Sequence, residues 1–171
     1  MTPAIRPATA ADGEAVDSLL RGCFTHAAEA RLVAQLAIDG DLVLAMVADD
    51  PVAGVVGMVA ASRMTVDADN AELAAVAIAP LAVAAGHRRT GIAELLVDAA
   101  LERLRAGGVT LAFVLGEPGY YGRFGFRAES ADGFASPYAG PFLLATRLND
   151  GPCIKAPGAA LHAAAFATLA E

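Results

Sequence analysis

Cysteine and basic side chains are both scarce in this chain of 171 residues. The two cysteines, Cys23 and Cys153, lie far apart and lack the paired spacing of a zinc site, so they favour neither a metal site nor a disulfide framework. Lysine and arginine number 12 against 19 aspartate and glutamate residues, and the net charge of −7 repels phosphate backbones. We therefore expect no bound metal and no nucleic-acid partner.

Long apolar runs are scarce as well, and no secretory leader is expected. The most apolar stretch, 73–85, contains Pro80 and is shorter than the roughly 20 apolar residues that a membrane helix needs. The first residues include Pro3 and Arg6 before any apolar segment begins, which is not typical of a secretory signal. These features predict a cytoplasmic protein without a membrane partner.

The composition that is present suits a folded protein. Hydrophobic residues make up 56% of the chain and charged residues 18%, which is typical of globular proteins and not of disordered ones. Domains commonly contain roughly 50 to 250 residues, so residues 1–171 are predicted to form a single domain.

Apolar spacing predicts alternating helices and strands in the first half of the chain. Val16, Leu19 and Leu20 recur at helical spacing, and Asp49-Asp50-Pro51 supplies a turn suited to a hairpin. Because proline lacks an N–H group, Pro80 predicts a bulge where the bonding of its strand fails. The predicted elements are a strand at 4–9, helices at 14–21 and 27–37, and strands at 42–48, 52–64 and 73–85.

The second half begins with an amphipathic helix at 91–106, ended by Gly107-Gly108. A strand at 109–115 follows, and this strand–helix–strand order suits a parallel pair, so the sheet is expected to be mixed. Beyond Tyr121 we predict a short helical turn and strands at 124–128 and 141–148. The last twenty residues are compatible with either strand or helix.

The segment most indicative of chemistry is 83–93, a loop between an apolar strand and a helix start. Free N–H groups and the helix dipole at such a start bind anions, and small residues at Gly91 and Ala93 admit a phosphate close to the backbone. Arg88 and Arg89 add local positive charge. The alternative is an ordinary turn with solvated arginines, and no Rossmann or Walker glycine pattern is present.

Two motifs carry a family resemblance. Arg88–Ala93 resembles the (Gln/Arg)-x-x-Gly-x-(Gly/Ala) pyrophosphate loop of the GNAT superfamily of N-acetyltransferases, and Tyr121–Phe126 resembles the Tyr-x-x-x-Gly-Phe element of that superfamily. More narrowly, 79–83 and 115–126 resemble a bacterial subgroup of predicted N-acetyltransferases whose substrate is unassigned. Arg88 stands where glutamine is usual and Ala93 where the second glycine is usual. Because Ala93 adds a methyl group near the phosphate path, weaker cofactor binding is expected than in glycine-bearing relatives.

The resemblance implies an α/β (α+β) fold, with a mixed, mostly antiparallel sheet flanked by helices and splayed between its fourth and fifth strands. It implies that 130–171 is a carboxy-terminal extension on the substrate side of the single domain. It is also compatible with a homodimer, because homodimers are common in the superfamily.

The cofactor implied is acetyl-CoA, acting as co-substrate. Its pantetheine arm is expected between the strand near 81–83 and the strand 109–115, and its diphosphate on the amides of 88–93. The cofactor-binding residues implied are Leu81, Ala82, Val83, Arg88, Arg89, Thr90, Gly91, Ile92, Ala93, Glu117, Tyr120 and Tyr121.

For the reaction, the resemblance implies transfer of acetyl to a primary amine by direct attack in a ternary complex. Tyr121 matches the general acid, which would protonate the leaving thiolate. The strand 73–83 carries no carboxylate, so Glu72 or Glu29 is a weak candidate for the base, Glu117 is another, and a water relay is an alternative.

Three other functions stay open from the sequence. One is the same fold with another acyl-CoA donor, and another is a non-catalytic module that binds or senses acyl-CoA. The third, a structural or interaction protein that uses only the fold, is the least favoured, because the cofactor loop and Tyr121 would then have no reason to occur together. The acceptor, a small molecule or a peptide amine, is not identified by any residue, although the negative net charge favours a cationic one.

Overall fold

The computed structural model describes residues 2–170, with four α-helices and seven strands in that range. The elements are β1 (Ala4–Pro7), α1 (Gly13–Cys23), α2 (Ala28–Asp39), β2 (Leu42–Asp50), β3 (Gly54–Ala68), β4 (Ala71–Val83), α3 (Ile92–Ala106), β5 (Leu111–Leu115), α4 (Pro118–Tyr121), β6 (Leu143–Arg147) and β7 (Pro157–Leu161). Short 3₁₀ turns occupy Ala10–Asp12, Ala85–His87, Gly122–Phe124 and Ala164–Ala170. None of the helices in the described range has the length and apolar character needed to cross a bilayer.

One seven-stranded sheet contains these strands in the order β1-β2-β3-β4-β5-β6, with β7 paired to β3. β1 pairs antiparallel with β2, β7 with β3 and β6 with β5, whereas β4 and β5 are parallel. The α3 crossover makes that parallel pair, since a strand and its parallel neighbour need a long connection. The prediction of a mixed, mostly antiparallel sheet flanked by helices is therefore confirmed.

The parallel ladder between β4 and β5 is short. It pairs residues from Ala75 with Leu111 to Ala77 with Phe113, and it ends there although β5 continues to Leu115 on its β6 side. Pro80 lies beyond this end, within a strand that runs unbroken to Val83. The ladder therefore stops before the proline, and Pro80 occupies a position where a missing N–H costs the β4–β5 ladder nothing.

The contacts of the chain group into two compact units. The first contains the residues up to Ala61, Pro80–Ala100 and the residues from Ala164 onward; its core includes Leu20, Val47 and Met58. The second contains Ser62–Ala79 and Leu101–Ala163, where Phe113 and Phe134 meet edge to face at 5.5 Å between ring centroids. The single-domain assignment, with 130–171 as its extension, stays a prediction.

Of the two elements predicted directly beyond Tyr121, the short helical turn is confirmed and the strand at 124–128 was wrong. The helical turn begins at Pro118, before Tyr121, and continues as a 3₁₀ turn to Phe124. No strand forms at 124–128, because Gly125 takes a left-handed φ of +90° and turns the chain. Pairing in this segment is limited to an isolated bridge between Arg127 and Ala145. The carboxy-terminal segment, which the sequence left open, contains both β7 and a 3₁₀ turn.

Candidate active site

The loop between β4 and α3 has an unusual backbone. Arg89 adopts a φ of +61° and Gly91 a φ of +85°, with Thr90 between them on the negative side. Such alternation is typical of anion-binding concavities in proteins, in which successive N–H groups point toward one side of the chain. α3 begins directly afterwards at Ile92, so the free N–H groups and the positive dipole end of the helix adjoin this loop.

Gly91 is required here by conformation and not by space. A Cβ at this position would meet nothing within 4 Å, but side chains rarely tolerate its positive φ. Its carbonyl accepts the first helical bond, from the Leu95 N–H at 3.1 Å. Arg88, Arg89 and Thr90 are exposed, so the loop presents its donors to solvent.

The start of α3 is anchored by a small residue that sequence reasoning missed. A Cβ on Gly57 of β3 would lie 3.0 Å from a Leu96 methyl group and 3.1 Å from an Ile92 methyl group. Ile92 and Leu96 are buried, and Gly57 lets this helix pack closely on the strand. No local signal in the sequence marks Gly57, because its role depends on a contact with a distant element.

The predicted strand residues Leu81, Ala82 and Val83 end β4. Ala82 is buried and its two neighbours are half-buried. The Val83 carbonyl accepts hydrogen bonds from the Arg88 Nε–H at 3.0 Å and from the Cys23 thiol at 3.4 Å. The structure thus joins the end of β4 to the first residue of the predicted diphosphate loop.

Tyr121 lies at the end of α4 with its ring against the backbone of Gly116. A Cβ on Gly116 would lie 2.4 Å from Cε2 and 2.9 Å from Cδ2 of that ring, so only glycine leaves room for it. The ring also meets Tyr120 at 5.0 Å and Phe126 at 6.0 Å between centroids, both edge to face. Burial, and secondarily the neighbouring Tyr120, raises the pKa of Tyr121 above its ordinary value of 10.0.

The other predicted residues of this region hold α4 in place. The Glu117 carbonyl accepts the N–H groups of Tyr120 at 3.1 Å and Tyr121 at 3.0 Å, and Pro118 provides the preset φ of the first helical position. The Glu117 side chain is exposed and caps no N–H group. Arg123 lies over the Tyr120 ring, with its guanidinium carbon 4.6 Å from the centroid.

Two of the three candidate bases, Glu29 and Glu72, differ in setting. Glu29 is half-buried in the first turn of α2 and lines a cavity of about 460 Å³ with Thr25, His26 and Arg31 among its neighbours. Glu72 is exposed, as the second residue of β4, at the opposite end of that strand from Val83. Among residues 2–170, neither carboxyl group forms a hydrogen bond or ion pair with another predicted site residue.

A larger cavity, of about 530 Å³, has a different lining. It is bordered by apolar side chains of α1, α2 and β2, among them Val16, Val33 and Leu42. None of the predicted site residues lines it. Within residues 2–170, no group of three or more His, Cys, Asp or Glu side chains could hold a metal ion.

The structure therefore collects the predicted cofactor-binding residues into two sets. In the first unit, 81–83 and 88–93 form one continuous segment of strand end, loop and helix start. In the second unit, Glu117, Tyr120 and Tyr121 share α4 and its cap. Comparison with known proteins shows the family to which the chain belongs.

Residues 4–128 match the family model described as "Acetyltransferase (GNAT) domain". The chain therefore belongs to the GNAT acetyltransferase family. Enzymes of this family transfer an acetyl group from acetyl-CoA, and this chain is an acyltransferase of that class. The family resemblance drawn from the two sequence motifs is confirmed.

Individual relatives agree with the family match. The chain is 43% identical over 115 residues to the "Uncharacterized N-acetyltransferase YhbS" of Escherichia coli strain K12, covering 67% of this chain and 68% of that protein. The crystal structure of E. coli YhbS in complex with CoA is similar with a TM-score of 0.88 and 33% identity, over 98% of this chain and 93% of that one. A GNAT acetyltransferase from Brucella melitensis, crystallised with acetyl-CoA, has the same fold at 24% identity and a TM-score of 0.77, over 95% of this chain and 97% of that one.

Proposed function

We propose that this protein transfers an acetyl group from acetyl-CoA to a primary amine by direct attack in a ternary complex. The observation that carries the proposal is the backbone of Arg88–Ala93, whose alternating φ values turn N–H groups outward at the start of α3. Diphosphate binding by these amides needs no basic surface elsewhere, which suits a chain of net charge −7. The CoA complex of the YhbS relative supports the same cofactor class.

Tyr121 is proposed to protonate the leaving sulfur. Because its pKa lies above 10.0, the phenol is protonated at neutral pH, which is the state a general acid needs. No hydrogen bond to its hydroxyl group is present among residues 2–170, so the proton is not committed to a neighbouring side chain. In this step the amine nitrogen bonds to the acetyl carbon, the carbon–sulfur bond breaks, and the phenol proton moves to sulfur.

The proton lost by the amine goes to Glu29 or to water. We favour Glu29 over Glu72, because Glu29 borders a cavity whereas Glu72 is solvated at the far end of β4. A weak base is enough here, since part of the amine is already neutral. The acidity of the chain favours a cationic acceptor, either a small molecule or a peptide amine.

An amine-library assay that follows release of free thiol from acetyl-CoA tests this function. We expect turnover with at least one amine and saturation in both substrates, because both must be bound for direct attack. Binding of acetyl-CoA by calorimetry without turnover on any amine would favour the binding or sensing module instead. Turnover with another acyl-CoA but not acetyl-CoA would reassign the donor.

We also propose that the protein is cytoplasmic and forms a homodimer, as expected from the sequence. Size-exclusion chromatography with light scattering separates a dimer from a monomer of 17.3 kDa. Fractionation of the native host cell addresses the location.

A further inference from the structure

The carbonyl group of Val83 is bonded by two side chains. The Arg88 Nε–H donates to it at 3.0 Å and the Cys23 thiol donates at 3.4 Å. A carbonyl oxygen has two lone pairs, so both acceptor positions are used within the protein. Arg88 therefore bonds back to the strand end that precedes its own loop.

We propose that Arg88 is a positioning residue for cofactor binding, acting through the Val83 carbonyl by its Nε–H group and not by its charge. The inference rests on the proposed function, in which the amides of 88–93 bind a diphosphate. In this role the arginine closes the segment 84–87 between strand and helix and fixes where the following amides point.

The loop needs such a restraint because of Arg89. A residue with a Cβ rarely takes a left-handed φ, and it stays there only when the surroundings hold it. Two bonds flank the strained residue: the Arg88 Nε–H to the Val83 carbonyl, and the Thr90 hydroxyl to the His87 carbonyl at 2.5 Å. Each fixes the backbone on one side of Arg89.

The bonding atom itself defines a sharp test. Nε of arginine lies the same number of bonds from Cα as the amide nitrogen of glutamine, so Arg88→Gln keeps a donor at that position and loses the charge. Lysine has a methylene group there, so Arg88→Lys keeps the charge and loses that donor.

The experiment measures acetyl-CoA dissociation constants by calorimetry for Arg88→Gln, Arg88→Lys and Arg88→Met. We expect Arg88→Gln to remain within about 2-fold of the parent, and the other two to bind about 5- to 10-fold more weakly, the size of one lost hydrogen bond. KM for acetyl-CoA should follow the dissociation constant while kcat stays unchanged. Arg103→Gln and Arg103→Met, on the exposed side of α3, repeat the charge change as controls.

The opposite order overturns the proposal. If the arginine charge contacts the diphosphate, Arg88→Lys binds like the parent and Arg88→Gln is as weak as Arg88→Met. Equal binding by all three variants also contradicts it, because the Nε–H bond then positions nothing.

A measurement without ligand separates this inference from the proposed function. The Ala84 amide shares its peptide group with the Val83 carbonyl and is held by the Val56 carbonyl at 2.8 Å. Its nitrogen chemical shift should therefore move in Arg88→Met and Arg88→Lys but not in Arg88→Gln. If the parent protein fails to bind acetyl-CoA, the proposed function is lost; if these shifts are the same in all variants, the role of Arg88 is lost.

Discussion

The Arg88–Ala93 loop and the packing site of the Tyr121 ring, formed by Gly116, Tyr120 and Phe126, obtain their shapes in different ways. The loop is exposed, and its shape comes from backbone angles at Arg89 and Gly91. The Tyr121 ring is half-buried, and its position comes from packing against the backbone of Gly116. We therefore expect substitutions in the loop to change cofactor binding and substitutions at the packing site of Tyr121 to change turnover.

The largest effect is expected for Tyr121→Phe. Loss of a positioned proton donor typically costs about 10²- to 10⁴-fold, so we expect kcat to fall at least about 100-fold. The acetyl-CoA dissociation constant should stay within about 2-fold, since the ring remains. Steady-state kinetics and calorimetry measure the two quantities, and Tyr138→Phe serves as the control for removing a hydroxyl group. Unchanged kcat removes Tyr121 from the mechanism.

The next effect is expected for Gly116→Ala. The new methyl group would overlap the Tyr121 ring, and because the ring is the far end of a side chain, it must swing away. A displacement of about 1 Å can cost about 100-fold in rate, so we expect kcat to fall about 10- to 100-fold in a protein that still folds. Gly119→Ala, in α4 near Tyr121 and with open space around it, is the control for adding a methyl group. Equal kcat values for the two variants would contradict the claim that Gly116 positions the Tyr121 ring.

A smaller effect, on binding alone, is expected for Gly91→Ala. Space is open at this position, but an alanine at a φ of +85° costs about 1 to 2 kcal/mol, so acetyl-CoA should bind about 10-fold more weakly with little change in kcat. Gly86→Ala, also in open space but without a positive φ, should bind like the parent. Calorimetry on both variants provides the measurement. A fall in kcat for Gly91→Ala with an unchanged acetyl-CoA dissociation constant would contradict the claim that the loop acts in cofactor binding.

A still smaller effect on acetyl-CoA binding, in the opposite direction, is expected for Ala93→Gly. Removing a methyl group near the proposed diphosphate path is expected to tighten acetyl-CoA binding about 2-fold. The gain is limited because glycine costs about 1 kcal/mol in a helix interior and somewhat less in its first turn. Weaker binding by this variant would mean that the Ala93 methyl group does not impede the phosphates.

The smallest change is expected in the pH profile. A general acid works while it is protonated, and a raised pKa delays loss of the proton as pH rises. At pH 10 more than half of Tyr121 should therefore be protonated, which keeps its contribution to kcat within about 2-fold of the maximum. Tyr121→Phe should lack the decline above that pH. A decline centred well below pH 10 that disappears in Tyr121→Phe would contradict the raised pKa.

Much of the fold could be predicted because it depends on local pattern. Helical spacing located α1 and α3, and the strand–helix–strand order indicated the parallel pair. The strand expected at 124–128 failed because Gly125 turns the chain, which apolar content alone does not reveal. The failure of strand bonding expected at Pro80 begins earlier, because the β4–β5 ladder ends at Ala77.

The candidate site divides in the same way. Arg88–Ala93 and Tyr121 were found by motif, since their residue types recur at fixed spacing. Gly57, Gly116 and the Val83–Cys23 bond were missed, because each matters only through a partner distant in sequence or in a different element. The roles of all these residues in binding and catalysis stay predictions.

The most direct test of the central claim is a crystal structure of this protein with CoA bound. We predict that the diphosphate oxygens lie within hydrogen-bond distance of the main-chain N–H groups of 89–93, with Gly91 still at positive φ. A complex whose diphosphate is held elsewhere, by side chains away from the start of α3, would contradict the account.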